Sequence, residues 1–243
     1  MRVVYHRKKN APLPLAPVAL AVAFFILAAL VTGAMPARQA TTAVGSLSGK
    51  TFVVDAGHGG FDNGASGPNG SVEAPLNLAV SLYLAGELRM MGATVIMTRI
   101  DENALADTKR EDMQKRSEIL CQDGLTASIS IHMNKFTSKK PKGPRVFFAE
   151  GSQEGYALAL TLQNALDDAV GIKRKEPLVG DYLVLRTGEQ TNVLVECGFL
   201  SNPEDEALLL TEAYQMLLAQ TIADTIAEFY GVNTGFPTFA NVA

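Results

Sequence analysis

The chain has 243 residues, of which 47% are hydrophobic, 19% charged and 7% aromatic, and it contains two cysteines. This size and apolar content suffice for one domain with a substantial core, or at most two small ones, and they exclude a disordered protein, a collagen-like fibre and a small disulfide scaffold. The first 40 residues hold five basic side chains and no acidic one, so residues 41–243 carry 16 basic against 25 acidic side chains, a net charge of −9. Nucleic-acid binding is excluded, because an acidic body has little positive charge with which to displace phosphate counterions.

The amino-terminal segment has the pattern of an export sequence. Basic residues before position 10 precede 14 consecutive apolar residues at 18–31. A run of this length fits a cleaved signal peptide and a retained membrane anchor equally well, and both interpretations remain open. Because basic residues ahead of an apolar run favour a cytoplasmic amino terminus, we expect the remainder of the chain to be exported.

Composition then divides the chain into four predicted parts. Small and polar residues after the apolar run indicate a linker, and the strand and helix patterns begin at residue 51 and end near residue 231. The predicted parts are a signal peptide or anchor at 1–35, with membrane anchoring through 11–35, a linker at 36–50, a folded domain at 51–231 and a tail at 232–243.

Within the folded domain, short runs rich in valine and isoleucine alternate with longer stretches of helical periodicity. The predicted strands are Thr51–Ala56, Ala93–Thr98, Ala127–His132, Arg145–Ala149, Tyr182–Arg186 and Asn192–Cys197. The predicted helices cover 74–91, 107–121, 153–170 and 203–230, the last containing one or two helices. This alternation predicts a single α/β domain with a mixed, largely parallel twisted sheet covered by helices on both faces.

Three polar residues with versatile chemistry lie at predicted strand ends, where α/β sheets bind their ligands. His58 follows the first strand in a glycine-rich loop, and His132 and Glu196 end two later strands. Imidazole nitrogens and a carboxylate suit zinc, and the glycines let the loop backbone turn tightly. Each residue also has an ordinary alternative, as a capping histidine or as an ion-paired carboxylate. Spacing alone leaves both interpretations open, because the three residues are too far apart to form a local ligand motif.

The cysteines do not have the spacing of a metal site. Cys121 lies near the end of a predicted helix and Cys197 closes a predicted strand. Two buried thiols are the favoured interpretation, although an exported protein can also form a disulfide.

Three sequence blocks together resemble the zinc-dependent N-acetylmuramoyl-L-alanine amidases of the amidase_3 type. They read HGGFDNGA at His58–Ala65, SIHMN at Ser130–Asn134 and LVECGFLSNPE at Leu194–Glu204, and they occur in the family's order across nearly all of residues 51–231. The resemblance implies hydrolysis of the amide bond between N-acetylmuramic acid and L-alanine in peptidoglycan, with Zn²⁺ as the cofactor. It also implies that His58 and His132 are zinc ligands and that Glu196 acts as general base and then as general acid.

The remaining ligand is expected at the start of the first predicted helix. There the family usually shows an acidic–basic–acidic stretch before Asn-Leu, whereas this chain has Glu73 followed by Ala74 and Pro75. The resemblance therefore makes Glu73 the ligand candidate, and its alternative role is to stabilise the helix dipole. Asp62 and Asn134 are expected either to orient ligands or to cap loops.

A loop at 137–144 holds three lysines between His132 and the next predicted strand. It is expected either to contact carboxylates of the stem peptide or to be an ordinary solvated loop.

The layout of one export segment and one amidase domain resembles the sporulation and germination amidases. Those enzymes help to convert muramic acid to its lactam in the spore cortex, together with a peptidoglycan deacetylase. The resemblance thus implies a protein of the cell wall or another extracytoplasmic site, with peptidoglycan as substrate and a deacetylase as partner. Two alternatives remain: a catalytically inactive wall-binding or regulatory protein of the same fold, and a zinc peptidase that cleaves another wall amide.

Overall fold

A computed structural model of the chain describes residues 47–230. Its strands are β1 (Thr51–Ala56), β2 (Thr94–Met97), β3 (Ala127–Asn134), β4 (Arg145–Phe148), β5 (Leu178–Val179) and β6 (Thr191–Phe199). Its helices are α1 (Glu73–Met90), α2 (Lys109–Leu120), α3 (Gln153–Ala169), α4 (Leu183–Arg186), α5 (Pro203–Leu209) and α6 (Glu212–Phe229).

The strands form one six-stranded sheet in the order β2-β1-β3-β6-β4-β5. The neighbours among β2, β1, β3 and β6 are parallel, whereas β4 is antiparallel to β6 and β5 is parallel to β4. The prediction of a mixed, largely parallel sheet is therefore confirmed. The parallel arrangement brings the carboxyl ends of β1, β3 and β6 to one edge of the sheet, where ligands of such folds bind.

Helices cover both faces of this sheet, as predicted. α1, α3 and α6 contribute to the larger apolar core, which includes Val54, Ile129 and Val195 of the sheet. On the opposite face, Val53 and Leu194 pack with residues of α2 and α4 in a smaller core. The central strands are buried on both sides, which explains why their sequences are nearly continuous apolar runs rather than alternating patterns.

One predicted strand and one predicted thiol environment are wrong. Residues 182–186 do not form a strand, because Leu183–Arg186 is the short helix α4, which buries Val184 and Leu185. A two-residue strand, β5, lies just before it. Cys197 is buried as expected, but Cys121 is exposed at the end of α2, and both thiols are free.

The predicted signal or anchor, most of the linker and the tail lie outside the described residues. Within residues 47–230, no helix is both long and apolar enough to cross a membrane.

Candidate metal centre

The parallel strands bring the distant polar residues of the sequence to one place. His132 of β3 is the register partner of Glu196 of β6, and His58 follows the adjacent strand β1. The His58 and His132 rings lie with centroids 5.0 Å apart and planes at 80°. Residues that are far apart in sequence thus become neighbours, because they leave the same edge of the sheet.

The backbone around His58 has an uncommon conformation. His58 has a φ of 60°, in the left-handed region that non-glycine residues rarely adopt. The buried Arg116 donates hydrogen bonds to the carbonyl oxygens of Ala56 (2.9 Å) and His58 (2.6 Å) and so fixes this turn. At Gly57, a Cβ atom would collide with the His132 ring. The turn therefore depends on glycine before His58 and on a buried guanidinium behind it.

Glu73 lies between the two imidazoles. Its Oε1 is 3.2 Å from His58 Nε2 and 2.9 Å from His132 Nδ1. These separations are close to the value of about 3.3 Å for two ligands of a tetrahedral zinc ion with bonds of about 2.0–2.1 Å. One ligand atom from each residue lies within 4.8 Å of the others, so His58, Glu73 and His132 form a possible metal site. Ala74 and Pro75, which depart from the family pattern, do not prevent this placement.

Several donors fix the Glu73 carboxylate. Oε2 accepts a hydrogen bond from the Ala65 amide (2.7 Å), and Oε1 accepts hydrogen bonds from the Met133 amide (3.1 Å) and from Asn77 Nδ2 (3.2 Å). Burial alone would raise the pKa of Glu73, but hydrogen bonds and charge from His132 and His58 hold this pKa well below its usual range. The carboxylate is therefore ionised, the form in which it can bind a cation.

Asp62 orients the His58 ring, whereas no hydrogen bond within residues 47–230 joins the Asn134 side chain to the site. Asp62 Oδ2 lies 3.0 Å from His58 Nδ1, which leaves Nε2 directed at Glu73. Burial would raise the pKa of Asp62, but His58 lowers it to about 2, so the carboxylate is ionised. The Asn134 side chain has no hydrogen-bond partner among residues 47–230, and its backbone carbonyl accepts a hydrogen bond from the Leu200 amide at the end of β3.

Glu196 is a buried carboxylate with an unsatisfied oxygen. Its exposed fraction is 9%, and Oε2 has no hydrogen-bond partner in the part of the chain that the structure describes. Burial raises the pKa of Glu196 to about 7, with His132 and His58 opposing the shift and Glu73 adding to it. A buried acceptor without a partner is costly, and a carboxylate that also has a perturbed pKa is typical of a functional group.

The sequence matches a known protein family over most of its length. The model of the Amidase_3 family, described as N-acetylmuramoyl-L-alanine amidase, matches residues 52–228. The chain belongs to this amidase family. The match covers all four candidate residues and nearly the whole region that the structure describes.

Two curated relatives of this amidase domain share 31% identity with it. One is the probable cell wall amidase LytH of Staphylococcus epidermidis, aligned over 198 residues that cover 81% of this chain and 63% of that protein. This chain therefore spans less than two thirds of that relative's length. The other is the germination-specific N-acetylmuramoyl-L-alanine amidase of Bacillus subtilis, aligned over 193 residues that cover 76% of this chain and 81% of that protein.

Solved amidase structures share the fold. The CwlD amidase from Clostridioides difficile, in complex with the GerS lipoprotein, superposes with a TM-score of 0.71 at 32% identity and covers 74% of this chain and 98% of that one. The catalytic domain of the CwlV amidase from Bacillus (Paenibacillus) polymyxa has a TM-score of 0.68 at 30% identity, with coverage of 75% and 99%.

Sequence patterns did not identify Asn77 and Arg99, which form hydrogen bonds with Glu73 and with backbone carbonyl groups next to the candidate ligands. Asn77 lies four residues after Glu73, a helical spacing that could have identified it. Arg99 is buried and donates to the carbonyl oxygens of Ala56, Gly57 and Ala74 at 2.8–2.9 Å, next to both His58 and Glu73. No periodicity distinguishes such an arginine from a solvated one, because its acceptors are backbone atoms of distant segments.

Proposed function

We propose that the protein is a zinc-dependent N-acetylmuramoyl-L-alanine amidase that hydrolyses the amide bond between N-acetylmuramic acid and L-alanine in peptidoglycan. One observation carries the proposal: the ring nitrogens of His58 and His132 converge on Glu73 Oε1, beside the buried carboxylate of Glu196. Two imidazoles and one carboxylate are a common ligand set of catalytic zinc sites, and they leave a coordination position for water or substrate. Membership of the amidase family supports the choice of this amide as substrate.

The donor set fits a zinc ion, and His58, Glu73 and His132 are the residues that would hold it. A zinc ion held by these residues would supply Lewis acidity, which would polarise a substrate carbonyl and lower the pKa of a bound water to about 7. Asp62 accepts the Nδ1 proton of His58, so that the Nε2 lone pair faces the centre.

Glu196 is suited to move the proton. In our proposal, its ionised carboxylate accepts a proton from the attacking water at the unsatisfied Oε2 and then donates it to the departing alanine nitrogen. Because burial raises its pKa to about 7, the carboxylate can both accept and release a proton near neutral pH. The surrounding burial limits access of bulk water to this transfer.

Digestion of purified peptidoglycan tests the proposal. Mass spectrometry of the products should show free stem peptides that begin at L-alanine and glycan strands without peptides. A zinc chelator should abolish the release, and added Zn²⁺ should restore it. Zinc binding without cleavage would favour the inactive wall-binding alternative, and cleavage within the stem peptide would favour a zinc peptidase.

The proposed setting is the formation of muramic lactam in the spore cortex. The identity of 31% to a germination-specific amidase supports it, as does the likeness to CwlD. In this proposal, removal of the peptide by the amidase precedes the action of a peptidoglycan deacetylase. Because the CwlD structure contains the GerS lipoprotein, an exported lipoprotein is a second partner class to test by co-purification.

We also propose that the protein is exported and acts outside the cytoplasm, since its relatives include cell wall amidases. Immunodetection in culture medium, membrane and cytoplasmic fractions would separate a cleaved signal peptide from a retained anchor.

A further inference from the structure

The segment Ser201–Glu206 follows the strand that carries Glu196 and contacts two loops beside the candidate metal centre. One is the loop at 66–71, which leads from the His58 turn to Glu73. The other is the β3–β4 loop at 135–144, which contains Lys135 and the three lysines of residues 137–144. Neither the proposed chemistry nor the larger core accounts for the polar side chains of this segment.

Glu206 binds the first loop through an unusual set of partners. Its side chain is fully buried, and its carboxylate accepts hydrogen bonds from Ser71 Oγ (2.7 Å), Asn69 Nδ2 (2.8 Å) and the Asn69 amide (3.0 Å). The Ser71 amide donates a fourth, at 3.3 Å. Within residues 47–230 no lysine, arginine or histidine forms an ion pair with it. A buried anion that neutral donors alone satisfy fixes the positions of those donors closely.

The loop at 66–71 in turn determines where Glu73 lies. Ser66 and Val72 form a β-bridge, and Glu73 and Ala65 exchange hydrogen bonds, with the Glu73 amide donating to the Ala65 carbonyl and the Ala65 amide donating to Glu73 Oε2. Helix α1 begins at Glu73, and its N-cap residue Val72 provides no side-chain cap. The start of α1 is therefore positioned by this loop rather than by a local capping residue.

The same segment fixes the second loop through three other side chains. Ser201 Oγ accepts a hydrogen bond from the Phe136 amide (3.0 Å), and Asn202 Nδ2 donates to the Lys139 carbonyl (2.8 Å). Asp205 Oδ2 accepts from the Gly143 amide (2.8 Å) and from the Phe199 amide at the end of β6 (2.8 Å). The two adjacent carboxylates thus bind different loops. Asp205 binds the β3–β4 loop, and Glu206 binds the loop at 66–71 that precedes Glu73.

We propose that Glu206 is a positioning residue for the metal centre, because its contacts with the loop at 66–71 fix Glu73 relative to Glu196. Asp205 positions the β3–β4 loop independently. The effect of Glu206 on zinc binding rests on the function proposed above. Because Glu206 is an acceptor only, Glu206→Gln directs an amide NH₂ group at donors and releases the loop while conserving volume. Asp205→Asn is the matched control, since it makes the same chemical change one residue away.

The experiment uses the full-length protein and two measurements. The first is amide hydrogen exchange of the metal-free protein, in which Glu206→Gln should accelerate exchange at residues 67–73 and Asp205→Asn at 135–143. The second is Zn²⁺ affinity by competition with a chromophoric chelator. We expect an affinity loss of about 10- to 100-fold for Glu206→Gln, the usual effect of losing support for a metal ligand, and an affinity within about threefold of wild type for Asp205→Asn.

A purely structural role for Glu206 predicts a different result. Glu206→Gln would then lower the thermal unfolding temperature while leaving Zn²⁺ affinity and exchange at 67–73 as in wild type, and this result would overturn the proposal. If Glu206→Gln does not fold, Ser71→Ala removes one hydrogen bond from the loop side and should still reduce Zn²⁺ affinity about threefold to tenfold; unchanged affinity would overturn it equally. If the wild-type protein binds no Zn²⁺, the proposed function fails, whereas the exchange measurement still tests the loop contacts.

Discussion

At the scale of single residues, the site depends on the orientation of its imidazoles as well as on their presence. His58 adopts a left-handed conformation, and its Nδ1 faces Asp62 while its Nε2 faces Glu73. A hydrogen bond that selects one tautomer raises the basicity of the other nitrogen and fixes the ring. The ligand role proposed for His58 therefore depends on Asp62.

Asp62→Asn tests this dependence. Asparagine preserves the size of the side chain but removes the negative charge that His58 Nδ1 faces, so we expect Zn²⁺ affinity to fall about 10-fold. Competition titration with a chelator measures the change. Lys109→Gln is the control, because Lys109 contacts Asp62 at 3.2 Å from the solvent side and is largely exposed. If general electrostatics controlled affinity, Lys109→Gln would bind Zn²⁺ more tightly than wild type, because it removes a positive charge near the site. Wild-type affinity in Asp62→Asn would contradict the role of the His58 hydrogen bond.

At the scale of secondary-structure elements, buried polar contacts join β1 to its neighbours behind the site. Asp55 of β1 accepts hydrogen bonds from Arg116 of α2 (2.5 Å), from Ser130 of β3 (2.5 Å) and from Thr98 (2.8 Å), which follows β2. Because Arg116 also binds the His58 carbonyl, this network connects the packing of α2 to the turn that presents the candidate ligand.

Asp55 should make stability depend on pH. Burial would raise the pKa of Asp55, but Arg116, Ser130, His132 and Thr98 together lower it below its ordinary value of 3.8. The ionised carboxylate thus contributes stability that is complete well above pH 3.8 and is lost as the pH falls through the folded-state pKa. We expect Asp55→Asn to reduce the unfolding free energy by about 2–3 kcal/mol at pH 7, because it removes one of the two carboxylates that pair with the buried Arg116 and leaves only Asp112.

Urea denaturation of the wild type and of Asp55→Asn at several pH values measures this effect. The difference between the two proteins should narrow below about pH 4. The exposed Asp123→Asn serves as control and should change stability by less than about 0.5 kcal/mol. A difference that stays constant down to pH 3 would mean that the Asp55 charge does not carry the stabilisation.

Alanine substitution at two glycines should affect different properties: Zn²⁺ binding should weaken at Gly57, and the free energy of unfolding should rise at Gly86. At Gly57 a Cβ atom would overlap the His132 ring, so Gly57→Ala should displace that ring and weaken Zn²⁺ binding. At Gly86, within α1, a new Cβ would meet no atom within 4 Å apart from its chain neighbours and the backbone of its own helix, so Gly86→Ala should stabilise the protein by about 0.5–1 kcal/mol through helix propensity. Thermal unfolding and zinc titration of both variants check this pair, and wild-type affinity in Gly57→Ala would refute the steric argument.

At the scale of the whole molecule, the sequence predicts the architecture better than it predicts the support of the site. The runs at β1, β3 and β6 are apolar because both of their faces are buried, and this pattern suffices to predict a largely parallel sheet. The run at residues 182–186 is too short for its periodicity to distinguish a strand from a helical turn, and it is mostly helix.

The same limit applies to the site residues. His58, His132 and Glu196 are recognisable at strand ends, and the structure brings them together with Glu73, which only the family resemblance pointed to. Arg99 and Glu206 carry no local signal, because their partners are backbone groups or side chains of remote segments. Arg116 has one local partner, Asp112 at a helical spacing of four residues, but its contact with the His58 turn is equally remote. Such contacts follow from the tertiary fold, which local patterns do not encode.

The most direct test of the central claim is the zinc content of Glu196→Gln beside its turnover of peptidoglycan. Glutamine retains the shape of the side chain but cannot accept a proton as a carboxylate does. The proposed mechanism therefore predicts about one Zn²⁺ per chain, as in the wild type, with turnover reduced about 10²- to 10⁴-fold. Turnover comparable to wild type at unchanged zinc content would contradict the role of Glu196, and with it the mechanism proposed for this site.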